Sequence, residues 1–158
     1  LQDPGTLVEH VQNALLREDA YAALSSENIL NSVSASSVLF LLGPNCSENR
    51  RAAAEPCLIL NLRSDKVRQP GDLCCPGGSI SPHADVYLAK LLYLPFFSLA
   101  RWSNWVSLRR RRSRDAFQLA VLMATALRES FEEMRLNPLG VKFLGLLPSE
   151  QWMAPPYP

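Results

Sequence analysis

Apolar residues recur along this chain with two different periods. Behind Pro4 and Gly5, Leu7, Val8, Val11, Ala14, Leu15 and Ala22 follow helical spacing and predict an amphipathic helix over residues 6–24. A Ser/Asn-rich stretch from Ser25 to Ser37 leads into two apolar runs of strand length, Val38 to Leu42 and Cys57 to Leu62. Gly43 to Pro56 between them suits a hairpin connection or loop. From Arg68 to Pro82, Pro70, Gly71, Pro76, Gly77, Gly78 and Pro82 predict turns with short pieces of strand. The bulky group Leu91 to Phe97 follows, then Trp102, Trp105 and a run of arginines. A long helix is predicted over residues 116–135, free of Gly and Pro, with Ala120, Ala124, Leu127, Phe131 and Met134 along one stripe. Asn137, Pro138 and Gly140 supply its stop, Val141 to Leu147 reads as a further strand, and Ala154 to Pro158 as a Pro-rich tail.

Composition narrows the class. A length of 158 residues fits one domain, and 47% hydrophobic with 20% charged residues excludes a disordered or low-complexity chain. The longest nearly apolar stretch, Leu91 to Ala100, is far short of the roughly 20 residues a spanning helix needs. Sixteen Lys and Arg against fifteen Asp and Glu leave a formal charge of +1, too balanced for a surface that attracts nucleic acid as a whole. That balance hides a cluster, Arg109, Arg110, Arg111, Arg112 and Arg114. Cys46, Cys57, Cys74 and Cys75 form no CxxC pair, which argues against a zinc site or a disulfide framework and for a reducing, intracellular compartment. The first residue is Leu rather than Met, so a processed or trimmed start is expected.

The candidate chemistry sits on the polar side of the long helix. At 3.6 residues per turn Glu129, Glu132 and Glu133 fall within roughly 100° of arc, so three carboxylates share one face. Like charges so placed cost roughly 0.2–0.5 kcal/mol per pair, and a hard divalent cation such as Mg²⁺ or Mn²⁺ would compensate them. The bland alternative is a solvated acidic face.

Arg128, Glu129, Ser130, Phe131, Glu132, Glu133, Met134, Arg135 and Leu136 resemble the second half of the Nudix box, GX5EX7REUXEEXGU with U aliphatic; Pro76, Gly77 and Gly78 resemble its opening. Leu58 to Leu62, Arg63, Ser64, Arg68 and Gly71 look like the preceding segment in the coenzyme A diphosphatase branch, so about half the chain is covered. Four departures stand out. Ala84 occupies the place of the box's first acid, with Asp85 next to it. The whole of Val86 to Leu127 separates Asp85 from Arg128 where the box has only seven positions, which marks segment 86–120 as an insertion within the box. Arg135 stands where the last glycine belongs, and Gln69 and Pro70 lead directly into Gly71 where the branch carries a His.

The resemblance implies an α/β (α+β) fold, a Nudix-type α/β/α sandwich around a mixed sheet, formed as one domain over residues 1–158. It implies that Glu129 and Glu133 bind Mg²⁺ or Mn²⁺ directly, Glu132 directly or through water, with the Gly78 carbonyl completing the set. Arg128 would orient the glutamates, and Glu132 is the candidate general base. Arg63, Arg68 and Gly77 are the candidate substrate contacts; guanidinium matches phosphate, although ordinary surface arginines fit equally well. The implied reaction is attack of water on a nucleoside diphosphate derivative, first coenzyme A or acyl-CoA, giving 3',5'-ADP and a 4'-phosphopantetheine product. ADP-ribose, a dinucleotide or a nucleotide sugar is the second substrate reading; a non-catalytic binding module is the reading of a different class.

Other residues have plainer readings. His83 is expected as a solvated loop histidine, and Cys74 and Cys75 as packing residues. Tyr93, Phe96, Phe97, Trp102 and Trp105 beside Arg109 to Arg112 combine aromatics with a basic end, so segment 91–114 is a candidate membrane-surface contact, lid or partner surface, against a helix buried on the body with a solvated basic end. Beyond Leu136 the sequence runs only from Asn137 to Pro158, less than the resemblance implies, so a truncated domain or one completed by a homodimer partner at an open sheet edge is expected. Compartment is left between cytoplasm and an organelle, mitochondrial or peroxisomal.

Overall fold

The computed structural model describes residues 4–15, 35–44, 56–63 and 71–148. Cys46, Arg68, the predicted helix beyond residue 15 and the Pro-rich tail lie outside the described residues. The architecture is α+β: helices α1 (Pro4–Leu15), α2 (Pro82–Leu91), α3 (Trp105–Arg111) and α4 (Ser113–Met134) with six short strands.

The two apolar runs and the Gly/Pro-rich segment each supply two strand pieces: β1 (Ser36–Val38) and β2 (Leu41–Pro44), β3 (Pro56–Ile59) and β4 (Asn61–Leu62), β5 (Leu73–Cys74) and β6 (Gly77–Ser79). β1 pairs with β6, β2 with β3 and β4 with β5, so every segment is bonded to both others. All three pairings are antiparallel, and the expected mixed sheet is not seen among the described residues. The change of partner explains why each run breaks. Pro76 has no N–H to donate, but its carbonyl accepts from the Leu39 N–H at 2.8 Å and carries the third segment over to β1.

The core is helical. Leu92, Leu99, Trp102, Trp105 and Leu108 pack with Ala116, Leu119, Ala120, Val121, Met123, Ala124 and Leu127. Segment 86–120 therefore does not hang from the body as an appendage; it builds the interior. Trp102 and Trp105, read as candidates for an exposed aromatic surface, are buried, and Tyr93 meets Trp105 edge-on at 5.0 Å. Pro82 at the first helical position opens α2, a helix that the apolar pattern does not predict, and puts His83 on a helix instead of a loop, where it is exposed as expected.

The long helix runs from Ser113 to Met134. Its stripe is buried through Leu127, but Phe131 is exposed beyond the end of the core. The stop comes before Asn137: Arg135 adopts the left-handed conformation (φ 58°), its N–H bonds to the Phe131 carbonyl at 3.0 Å, and the Leu136 N–H reaches the Ser130 carbonyl at 3.3 Å. A non-glycine residue there costs roughly 1–2 kcal/mol. The Arg135 guanidinium covers the Phe131 ring at 5.5 Å. Val141 to Leu147 is not a strand, for it enters no ladder among the described residues; its apolar side chains are used for packing, Phe143 edge-on to Trp102 at 5.1 Å. Gly145 lies so close to α1 that a Cβ there would stand 2.6 Å from the Cβ of Leu15.

Candidate functional site

The site forms where α4 packs against both α2 and β6. Arg128 is its hub. The Nε–H donates to Asp85 Oδ1 at 2.7 Å; one terminal nitrogen donates to Glu129 at 2.9 Å and Glu132 at 3.5 Å; the other donates to Asp85 Oδ2 at 3.2 Å and the Ser79 carbonyl at 3.3 Å. All five guanidinium N–H groups thus have an acceptor.

Asp85 is fully buried on α2 and accepts, besides Arg128, the Ser81 N–H at 2.7 Å and the Thr125 hydroxyl at 2.8 Å. The Thr125 hydroxyl also lies 3.0 Å from the Val121 carbonyl; with one proton to give, it favours the carboxylate, since charge-assisted bonds are the stronger. Burial, the largest single influence on the Asp85 carboxyl, pushes its pKa up. The bonds from Arg128, Ser81 and Thr125 and the charge of Arg128 together outweigh burial and hold it below the usual carboxylate range. Arg128 is correspondingly raised, first by its bond to Asp85, and stays charged.

Two glycines bring the strand to the glutamates. Gly77 has φ 147°, and a Cβ there would overlap the Ser37 carbonyl oxygen. At Gly78 a Cβ would stand 2.5 Å from Cδ of Glu129, so the missing side chain is the space the carboxylate occupies. One turn on, Glu133 Oε2 accepts the Gly77 N–H at 3.4 Å. Glu129 is largely covered, its side chain 22% exposed, whereas that of Glu132 is 57% exposed and, among the described residues, held only by the long contact to Arg128.

Gly77, Gly78, Arg128, Glu129, Glu132 and Glu133 are therefore brought together although the whole of segment 79–127 intervenes. Arg63 stands apart. Its backbone pairs with the residues just before β5, the Arg63 N–H donating to the Asp72 carbonyl at 3.0 Å and its carbonyl accepting from the Gly71 N–H at 3.1 Å, with no described contact to the glutamates. Arg68 lies outside the described residues. Sequence reasoning missed Asp85 as the partner of Arg128, because the motif spacing points to position 84. The signal is present in Ser81 and Pro82, which open a helix and place an acid in its first turn; Ala84 is exposed and Asp85 turns inward.

Asp85, Glu129 and Glu132 pair with one arginine and Glu133 meets the Gly77 N–H one turn on, so four carboxylates and one guanidinium leave a formal excess of three negative charges. The donor types fit a hard divalent cation, and the cradle at Gly78 holds a carboxylate against the strand. Among the described residues, however, no three His, Cys, Asp or Glu side chains close on a common point as metal ligands; the Arg128 guanidinium bridges Glu129 and Glu132 instead. Comparison with protein-family models, curated proteins and solved structures finds no significant match.

Proposed function

We propose that this chain is a Mg²⁺- or Mn²⁺-dependent diphosphatase with a Nudix-type α/β/α sandwich, cleaving a nucleoside diphosphate linked to a second moiety, with coenzyme A or an acyl-CoA first among the substrates. One observation carries the reading. The two sequence pieces that resemble the halves of the Nudix box, far apart along the chain, meet in space through Asp85 and Arg128, Gly78 and Glu129, and Gly77 and Glu133. An intervening segment as long as 86–127 would not return a solvated acidic face to a Pro-Gly-Gly strand without a structural reason, and the ion pair of Arg128 with the fully buried Asp85 supplies it.

Glu129, Glu133 and the Gly78 carbonyl would hold the cation, joined by Glu132 once its long contact to Arg128 opens. When bound, such a cation polarises phosphate oxygens and lowers the pKa of water. The chain's own residues do the rest. Asp85 anchors Arg128, Arg128 fixes the Glu129 carboxylate, and Glu132, more exposed than Glu129, is the group free to take a proton from water. Arg63 and Arg68 are candidates for the diphosphate.

The test is a panel of diphosphates, coenzyme A, acyl-CoA, ADP-ribose, dinucleotides and nucleotide sugars, assayed with Mg²⁺ or Mn²⁺ and with chelator. We expect metal-dependent release of phosphorylated products, reduced by at least about 100-fold in Glu133→Gln. Equal activity in that variant, or activity that survives chelation, overturns the reading. A metal-free binding module is the second reading, favoured by the engagement of Glu129 and Glu132 by Arg128; it predicts binding of a panel member without turnover.

A further inference from the structure

Segment 86–114 contains seven cations and no Asp or Glu. Nearly half of the chain's positive charge is thereby concentrated in a stretch that also carries the aromatic group. The structure divides those residues sharply. Trp102, Trp105 and Leu108 turn into the core, while Leu91, Leu94, Phe96 (54% exposed) and Val106 (59% exposed) face outward.

Backbone bonds and one cation–π contact link the segments that carry these residues. Leu94 follows Leu91 through a backbone turn, the Leu94 N–H donating to the Leu91 carbonyl at 3.0 Å, and the Phe97 N–H donates to the Leu94 carbonyl at 3.1 Å, placing Phe96 in the next turn. Tyr93, adjoining Leu94, lies under the Arg109 guanidinium at 4.9 Å and so ties this turn to α3. On α3, Val106, Arg109 and Arg110 are neighbours at i, i+3 and i+4 and fall within about 100° of arc. Arg101, Arg109, Arg110, Arg111 and Arg114 are exposed. Arg112 is engaged with Asp115 at 3.0 Å.

We infer that this surface, Leu91, Leu94, Phe96 and Val106 rimmed by Arg109 and Arg110, docks the protein on an anionic lipid surface. Charge complementarity selects an anionic partner, and the bulky apolar side chains standing among the arginines select a lipid interface over a polyanion that offers phosphates alone. The described helices are too short or too polar to cross a membrane, so the contact is peripheral. The inference is independent of the carboxylate site.

Co-sedimentation of the full chain with phosphatidylcholine vesicles, with and without phosphatidylserine, tests it. We expect sedimentation with phosphatidylserine vesicles only, weakening as salt rises. Arg109→Gln with Arg110→Gln should lower the affinity about 25-fold, at about fivefold per charge, whereas Arg109→Lys with Arg110→Lys retains it. Leu94→Ser with Phe96→Ser should remove the part of the binding that survives high salt. No binding by the unmodified chain, equal binding to phosphatidylcholine alone, or full retention in the Gln pair overturns the proposal. So does single-stranded RNA held as tightly as the vesicles with the Ser pair unchanged in both assays, which identifies a general polyanion patch.

Discussion

The helical and the strand regions of this protein are built from equally apolar sequence, yet they bury it very differently. Apart from Pro76, the fully buried apolar side chains among the described residues lie between Ala89 and Leu127, on α2, α3, α4 and their connecting turns. The strand region instead exposes Val38, Phe40, Leu58, Leu60, Leu62 and Leu73. A helix satisfies its own backbone and needs only a neighbour for its apolar stripe, and α4 packs on two other helices, α2 and α3, as well as on β1 and β6. A strand fills its backbone bonds only with partners on both sides, and among the described residues each ladder is two strands wide. The site straddles the boundary, taking its charges from the well-packed helix and its backbone groups from the strand beside it.

Substitutions sharpen that contrast. Trp105→Ala, in the helical core, should cost about 3–5 kcal/mol in denaturant unfolding. Asp85→Ala should cost about 2–4 kcal/mol, a little less than removal of one partner from a fully enclosed ion pair, because Arg128 keeps Glu129 and Glu132. A loss under about 1 kcal/mol would mean that the pair does not hold the two regions together. Gly78→Ala should destabilise by about 1–3 kcal/mol through overlap with the Glu129 carboxylate, and would lower any metal-dependent activity more than Ser79→Ala does.

Acid titration acts on the same pair. Because the folded Asp85 carboxyl lies below its usual range, its contribution is fully present above the unfolded pKa, about 3.9, and is lost as pH falls through the lower folded value. Unfolding monitored by circular dichroism from about pH 6 downward should therefore show a loss of stability that begins near pH 4 and is smaller in Asp85→Asn; identical profiles would remove Asp85 from the account. The smallest effect is expected at the strand face. Leu62→Ala and Leu73→Ala, at residues 64% and 68% exposed, should change stability by no more than about 0.5 kcal/mol, and a larger loss would show that this face is covered in solution.

Much of this is legible in the sequence because it follows from local physics. The long helix, predicted over residues 116–135 and found at Ser113–Met134, is readable from a run without Gly or Pro and a helical apolar period, and the acidic face follows from the same geometry. The turn-rich character of Pro76, Gly77 and Gly78 is readable from their backbone restrictions. Length and pattern also predict strands in the two apolar runs, though not their partners. Val141 to Leu147 has a strand's composition but forms none, since a ladder requires a second strand that no local pattern supplies. Tertiary structure alone decided the rest. It chose Asp85 over position 84, because a side chain enters a buried ion pair according to the helix face it occupies and not its spacing from a glycine. It buried Trp102 and Trp105 while leaving Phe96 outside, because burial depends on which surfaces three helices present to one another. Local interactions reach one helical turn along the chain; the contact between Gly78 and Glu129 spans many times that distance, and only packing determines it.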